Sequence, residues 1–370
     1  MKKYIISISI VFAAAFGFYA CNEEDYSKRE FYEYPVYLLS KEDHNVYNVM
    51  HPFYPEGFET AGYFSIGVGG SLPNPDAFTV ELEQNKTLFN QYNRYVFDID
   101  TGRYAKLLPA KRYHIDQMTV DFPKNNKKQY VKVRVHVDTH GLSPDSIYFI
   151  PVSIKSITGG YEANPKKADM LYRVIVANYY AEQIRLSTYT DRGKKLMVNN
   201  PNLADVNDIV VVHDSVGQVA ETKVMKPLSY NSVRIMCGEE KEAKLGNPTK
   251  AELTKGAMIL TMDYDYTEGE TFSKEVTGLD GETVIVNGEY TPYKKVVISS
   301  YGNVEVEQFN DGGKVPFDLP RWNIYREERA NQVDNTVIKY FYLQYRYRTR
   351  IVDNFYTDWM YVRSTVRKLD

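Results

Sequence analysis

Apolar and polar residues alternate with a period of two along much of this chain. In residues 130–137 the odd positions Val131, Val133, Val135 and Val137 are apolar and the even ones polar, the pattern of a strand with one buried face. Shorter runs of the same kind stand at 34–39, 62–70, 78–82, 95–98, 113–120, 148–154 and 170–177, with turn signals such as Leu142-Ser143-Pro144-Asp145 between them. No long helical period interrupts the series, so residues 31–180 are expected to form an antiparallel β-sandwich. The Gly67, Gly69, Gly70 cluster follows a strand without opening a helix, and is read as a turn or bulge and not a phosphate cradle.

The second half begins irregularly. A strand at 184–188 leads to an expected turn at Asp191-Arg192-Gly193, then come strands at 209–213 and 232–237 and a polar stretch, 238–255, with room for one short helix. Residues 256–266 alternate, with Met258, Leu260, Met262, Tyr264 and Tyr266 on one face. Strands at 282–286, 293–299 and 302–309 follow, and the chain closes on a hairpin of 337–350 with 359–368. In its first strand Phe341, Leu343, Tyr345 and Tyr347 share one face, and Tyr340, Tyr342, Gln344 and Arg346 the other. An up-and-down meander of this kind predicts an antiparallel, calycin-like barrel or curved sheet over 181–370. The expected fold class is therefore all-β, in two domains.

The N-terminus changes the picture by adding an address. Met1-Lys2-Lys3 is positive, residues 4–18 are apolar, and Ala20 precedes Cys21. This is the layout of a secretory signal over residues 1–20, too short for a membrane span of roughly 20 apolar residues. Cleavage at that boundary leaves Cys21 as a lipidation site and residues 21–30 as an acidic tether. Each buried acyl methylene contributes about 0.8 kcal/mol, so two chains or more anchor stably. Phe18 stands where a bacterial lipobox usually carries Leu.

Composition narrows the chemistry. The formal net charge of −3 argues against nucleic acid as a partner. Cys21 and Cys237 are the two cysteines, so the fold is not disulfide-built, and Cys237 is expected to be buried in a strand. Tyrosines (33) outnumber glycines (22), which suits pleated, half-buried surfaces. No G-x-S-x-G, H-E-x-x-H, Walker A or C-x-x-C motif occurs; no cofactor is expected. His136 and His140 flank Asp138 without a helix to set their spacing, so no metal site is expected there. Asp263 and Asp265 project from one strand face and are expected as solvated acids, with acid–base catalysis or Ca²⁺ binding the sharper alternatives.

Glycan recognition needs planar rings that cover a sugar's C–H face and amide or guanidinium groups that bond its hydroxyls. Trp322 lies in such a context, Pro320-Arg321-Trp322-Asn323-Ile324-Tyr325. Arg321, Asn323 and Tyr325 are its candidate companions. Trp359 is a further candidate ligand-binding residue, although its regularly alternating strand favours a core position.

The strand order ending in Tyr148-Phe149-Ile150-Pro151-Val152-Ser153-Ile154 and Arg173-Val174-Ile175-Val176-Ala177-Asn178 resembles one family. It is the immunoglobulin-like N-terminal domain of Bacteroidetes surface lipoproteins from polysaccharide-utilisation loci. The closing hairpin resembles the C-terminal domain that commonly follows it. Glu23-Glu24-Asp25 is similar to the export signal of these lipoproteins, and Asp145-Ser146-Ile147 and Asp214-Ser215-Val216 resemble their O-glycosylation acceptors, which would place sugars on Ser146 and Ser215. The resemblance implies a non-catalytic, lipid-anchored outer-membrane protein, exposed at the surface, that passes oligosaccharides to an importer of the same locus. The alternatives are an adhesive surface lipoprotein that binds a protein partner and, third, a glycoside hydrolase or its accessory.

Overall fold

The computed structural model describes residues 33–41, 43–185, 187–198, 217–267, 271–277, 282–289, 292–308, 322–329 and 337–368. The signal segment, Cys21, the acidic tether, the strand expected at 209–213, Ser215 and Arg321 lie outside the described residues.

The first domain contains β1 (Val36–Leu38), β2 (Val46–Pro52), β3 (Thr60–Val68), β4 (Phe78–Glu83), α1 (Thr87–Phe97), β5 (Lys106–Leu107), β6 (Tyr113–Ile115), β7 (Thr119–Phe122), β8 (Tyr130–Val137), β9 (Tyr148–Ile157) and β10 (Asp169–Ala177). One sheet runs β1-β3-β8-β6 and the other β2-β10-β9-β4-β7, with β5 beside β9. Alternation works as expected: Phe64 and Ile66 of β3 and Val133, Val135 and Val137 of β8 face Val80, Phe122, Ile150, Val152 and Val174 across a buried core. Each such side chain contributes about 1.5–3 kcal/mol on burial.

Three local expectations are corrected. The sandwich is not wholly antiparallel, since β2 runs parallel to β10 and β5 parallel to β9. The run 113–120 is two strands in different sheets, because the chain crosses from β6, paired to β8, into β7, paired to β4. Residues 95–98 are not a strand: Tyr95 to Phe97 end helix α1. Their β-forming side chains hid a helical spacing that begins further back, where Phe89, Tyr92 and Asn93 recur at i, i+3 and i+4 and are buried. Phe89 and Tyr92 meet the ring of Phe149 edge-on, and the Asn85 carboxamide oxygen accepts the Thr87 N–H at 2.9 Å.

One buried polar chain ties the two sheets together. His51 of β2 lies 2.5 Å from Thr60 Oγ1 through Nδ1 and 2.8 Å from the Tyr172 hydroxyl through Nε2. Thr60 also reaches the Val137 carbonyl. A neutral imidazole with the proton on Nδ1 satisfies both contacts, and burial pushes the His51 pKa down to about 4. The unfolded chain takes up a proton near pH 6.5 while the folded one resists until about pH 4. Stability is thus full above pH 6.5 and falls across that window, by about 3 kcal/mol in all. Urea unfolding measured from pH 7 to pH 4 checks this, and His51→Asn is expected to flatten the slope.

The second domain contains β11 (Ser187–Val198), β12 (Gly217–Pro227), β13 (Ser232–Met236), α2 (Lys250–Gly256), β14 (Ala257–Met262), β15 (Thr271–Thr277), β16 (Thr283–Glu289), β17 (Lys294–Ser300), β18 (Val304–Gln308), β19 (Ile324–Arg329), β20 (Val337–Val352), β21 (Phe355–Tyr356) and β22 (Trp359–Lys368). The order β20-β19-β17-β14-β13-β12-β11-β22 returns to β20, which pairs with β22. The sheet therefore closes into an antiparallel barrel, while β15 and β16 form a hairpin of their own. Helix α2 is the short helix expected in the polar stretch, and Thr249 and Glu252 cap it reciprocally.

The barrel interior is solid. Tyr189, Met225, Ile235, Met258, Leu260, Tyr325, Phe341, Leu343, Tyr345 and Val362 fill it, and Cys237 is buried among them, its thiol pKa raised by burial. Asp191-Arg192-Gly193 is not a turn but the middle of β11. Asp191 points inward to Lys223 of β12, 2.7 Å away, with side chains 1 % and 2 % exposed. Gly193 is required because a Cβ there would fall on the Arg363 carbonyl of β22. A second correction concerns residues 256–266, whose strand stops at Met262. Asp263, Tyr264, Asp265 and Tyr266 are exposed beyond its end, where Tyr264 stacks on Tyr230 and Lys294 lies over the Tyr266 ring.

Polar contacts fasten the domains to each other. Arg234 of β13, buried, grips Asp145 of the first domain with two bonds of 2.6 and 2.8 Å. The Gln183 amide donates to the carbonyls of Pro144 and Ser146, and Ser146 Oγ receives a bond from Lys106 Nζ at 3.0 Å. The Asp145-Ser146-Ile147 segment is thus part of the junction.

Candidate functional site

The outer face of the barrel wall formed by β19, β20 and β22 carries an array of rings and guanidinium groups. The alternation in β20 generates it: Phe341, Leu343, Tyr345 and Tyr347 point into the core, so Tyr340, Tyr342, Gln344, Arg346 and Arg348 point out. Pairing with β22 sets Arg367 opposite Tyr340, Thr365 opposite Tyr342, Arg363 opposite Gln344 and Tyr361 opposite Arg346.

Trp322 joins this face through the backbone of its neighbour. Asn323 has φ +62°, a left-handed conformation that Asn adopts more readily than most residues. Its N–H donates to the Tyr342 carbonyl, its carbonyl accepts the Val296 N–H, and its side-chain amide bonds both the N–H and the carbonyl of Gln344. Held in this way, Asn323 turns the preceding residue outward. Trp322 is half-buried, edge-on to Tyr342 at 6.2 Å, with the Arg363 guanidinium 4.9 Å from its ring centre.

The array continues in both directions. Tyr342 and Tyr340 stack with an 18° interplanar angle, Arg326 covers Tyr342 and Arg367 covers Tyr340. Towards the other end, Arg346 and Arg348 lie 4.3 and 4.5 Å over the ring of Trp359, and Arg346 bonds the Tyr361 hydroxyl. Glu307, Glu305 and Glu328 pair with Arg346, Arg348 and Arg326. Each pair steadies a guanidinium plane across an aromatic ring, a contact of about 0.5–2 kcal/mol.

The sequence-derived candidates separate on this wall. Trp322 presents part of its ring to the outer face. Asn323 is 4 % exposed and its amide is consumed by Gln344, so it positions Trp322 and is not open to a ligand. Tyr325 is fully buried on the inner face, its hydroxyl 2.5 Å from Glu327 and its pKa raised by burial and that bond. Trp359 is 7 % exposed beneath the two arginines, floor rather than platform. Tyr340, Tyr342, Arg363 and Arg367 were not singled out from the sequence as binding residues, although the alternation in 340–347 already put the two tyrosines on one face. What was missing was which face would be outside, and that depends on barrel closure.

The other motifs are engaged locally. His136 Nε2 is 3.1 Å from Asp116, and among the described residues no cluster of three or more His, Cys, Asp or Glu side chains is placed to hold a metal.

A sandwich fused to a closed barrel whose interior is filled by buried side chains defines a two-domain all-β protein. Family models described as an N-terminal domain and a C-terminal domain match residues 31–160 and 168–367. The chain belongs to the two-domain family that this pair of models describes. A search of curated proteins found no match. Among solved structures, a Bacteroides ovatus protein of unknown function is 11% identical with a TM-score of 0.53, over 94% of this chain and 93% of that one. A second B. ovatus protein of unknown function is 12% identical with a TM-score of 0.50, over 90% and 94%. A Bacteroides thetaiotaomicron protein described as an auxiliary nutrient binding protein is 12% identical with a TM-score of 0.46, over 89% and 93%.

Proposed function

We propose that this protein is a non-catalytic glycan-binding protein, lipid-anchored through Cys21 at the outer membrane and exposed at the cell surface, which captures oligosaccharides for an importer. The observation that carries the binding reading is the outer wall itself, where Trp322, Tyr342 and Tyr340 form one connected aromatic surface bordered by Arg363 and Arg367, with Arg326 buried beside Tyr342. Rings meet the C–H faces of successive sugar units, and guanidinium groups donate to hydroxyls between them. The solid interior of the barrel supports this wall as the working surface.

The address rests on the boundary at Cys21 and the acidic residues after it. With two or more acyl chains the anchor holds, and the sandwich then spaces the barrel from the membrane. Asp263 and Asp265, exposed beyond the end of β14, lack the enclosure that tunes a catalytic carboxylate pair, which favours binding over hydrolysis.

Affinity electrophoresis through gels containing plant and host polysaccharides tests the binding reading. Retardation by at least one glycan is the expected result, and uniform mobility in all of them would favour the adhesive alternative. Release of reducing ends during incubation would favour the hydrolase.

A further inference from the structure

The sandwich carries a concave surface, remote in sequence from the barrel wall. A pocket of about 520 Å³ opens on the outer side of the β1-β3-β8 sheet, within the roughly 300–1,000 Å³ usual for small-molecule sites. Register puts Tyr37, Gly67 and Tyr130 in one row across the three strands, and Ser65 opposite Lys132 in the neighbouring row. Phe64 and Ile66, between these positions on β3, face the core, so both rows face outward.

The local sequence has a reason at each point. Gly67 lets the Tyr37 ring lie flat against the sheet, since a Cβ there would stand 2.6 Å from the ring's Cζ. Gln129, at φ +53°, donates from its side chain to the carbonyls of Gly70 and Leu72 at 3.1 and 2.9 Å. That pins the glycine turn as one wall. Tyr130 is 43 % exposed. Lys128 and Lys132 are exposed at the rim, and among the described residues no Asp or Glu lines the pocket and neither lysine has an ion-pair partner.

An aromatic floor beside two cations, with no carboxylate among the described residues that line it, suits a ring that carries negative charge. A neutral sugar would use the rings but leave both ammonium groups without a counter-charge. We propose that this pocket binds an anionic sugar unit, with its ring on Tyr37 and Tyr130 and its carboxylate or sulfate between Lys128 and Lys132. The site is separate from the barrel wall and stands or falls independently of it.

The test is calorimetric titration of the full chain with three oligosaccharides of equal length: one containing a hexuronate, one sulfated and one neutral. At least one anionic oligosaccharide is expected to bind at least tenfold more tightly than the neutral one, with affinity falling as salt rises because the lysines are exposed. Lys128→Met and Lys132→Met should each weaken it by roughly tenfold, the scale of one charge-assisted hydrogen bond. Both positions are exposed, so the folded state is retained, which an unchanged thermal midpoint verifies. Gly67→Ala should weaken the same binding by displacing Tyr37, while Trp322→Ala should leave it unchanged. Preference for the hexuronate or for the sulfated sugar identifies the anion, and either supports the site. Equal affinity of the Trp322→Ala chain for the neutral oligosaccharide, no binding of any of the three, indifference to both lysine substitutions, or loss on Trp322→Ala would overturn it.

Discussion

Trp322→Ala is expected to abolish retardation in a neutral-glycan gel that retains the wild type, a loss of roughly 30-fold or more, about 2 kcal/mol, as for a central aromatic anchor. The expectation follows from where the ring stands. It is the largest side chain on the outer wall with a partly open face, and it is held between Tyr342 and Arg363, so little ordering is left for binding to impose. Tyr340→Ala, further along the array, should cost less, because Tyr342 remains to continue the surface. Arg363→Ala removes both a donor and the group that covers Trp322, and should fall between the two. None of the three should shift the thermal midpoint by more than a few degrees, since none fills the interior. Asn323→Ala should behave differently. It forfeits the two side-chain bonds to Gln344 and places a residue with little tolerance for positive φ at +62°, so it should lower stability by about 1–3 kcal/mol and binding only through the misplaced Trp322. An Asn323→Ala protein of wild-type stability would contradict that account of the wall.

Asp191→Ala is expected to lower the stability of the chain by about 3–5 kcal/mol. Lys223 is then left charged in the barrel interior. Its ammonium still donates to the carbonyls of Met236 and Gly238, but the only carboxylate it pairs with among the described residues is Asp191. Taking both charges out together should be far milder. In Asp191→Leu/Lys223→Met the strands keep their register and the space is filled by carbon, and such replacements of buried pairs are often neutral or stabilising. Urea unfolding of the two single variants and the double variant measures the coupling directly. A fall of less than 1 kcal/mol in Asp191→Ala would mean that water reaches the pair and that the barrel is open where it is described as solid.

Much of this architecture was legible in the sequence, and what was not has a common cause. Alternation placed Val131 to Val137 and Phe341 to Tyr347 on buried faces because period two is a property of the strand alone. The failures came where a distant strand decides. Asp191-Arg192-Gly193 has the composition of a turn, yet Asp191 is matched by Lys223 and Gly193 by the backbone at Arg363, and neither partner is near in sequence. Tyr95-Val96-Phe97 has the side chains of a strand but ends a helix, whose buried face of Phe89 and Tyr92 is completed by Phe149. The candidate site divided in the same way. Trp322 could be chosen for its ring and loop context, whereas Asn323 and Tyr325 looked like ligand contacts because side-chain chemistry says nothing about which groups the backbone will consume. The pocket over Gly67 left only a glycine cluster as its trace, read as a turn or bulge. Gly67 in fact lies within β3, paired with Tyr37 and Tyr130, and only Gly69 and Gly70 follow the strand's end, as one wall of the pocket.

The central claim is that a glycan lies on the outer wall at Trp322. The chain has two tryptophans, Trp322 and Trp359, so Trp359→Phe makes Trp322 the sole indole reporter. Titration of that variant with a glycan retained in the affinity gel should give a saturable change in indole emission, with a midpoint equal to the affinity found by calorimetry. A titration with a neutral glycan in which calorimetry shows binding while the Trp322 emission stays constant would contradict the claim.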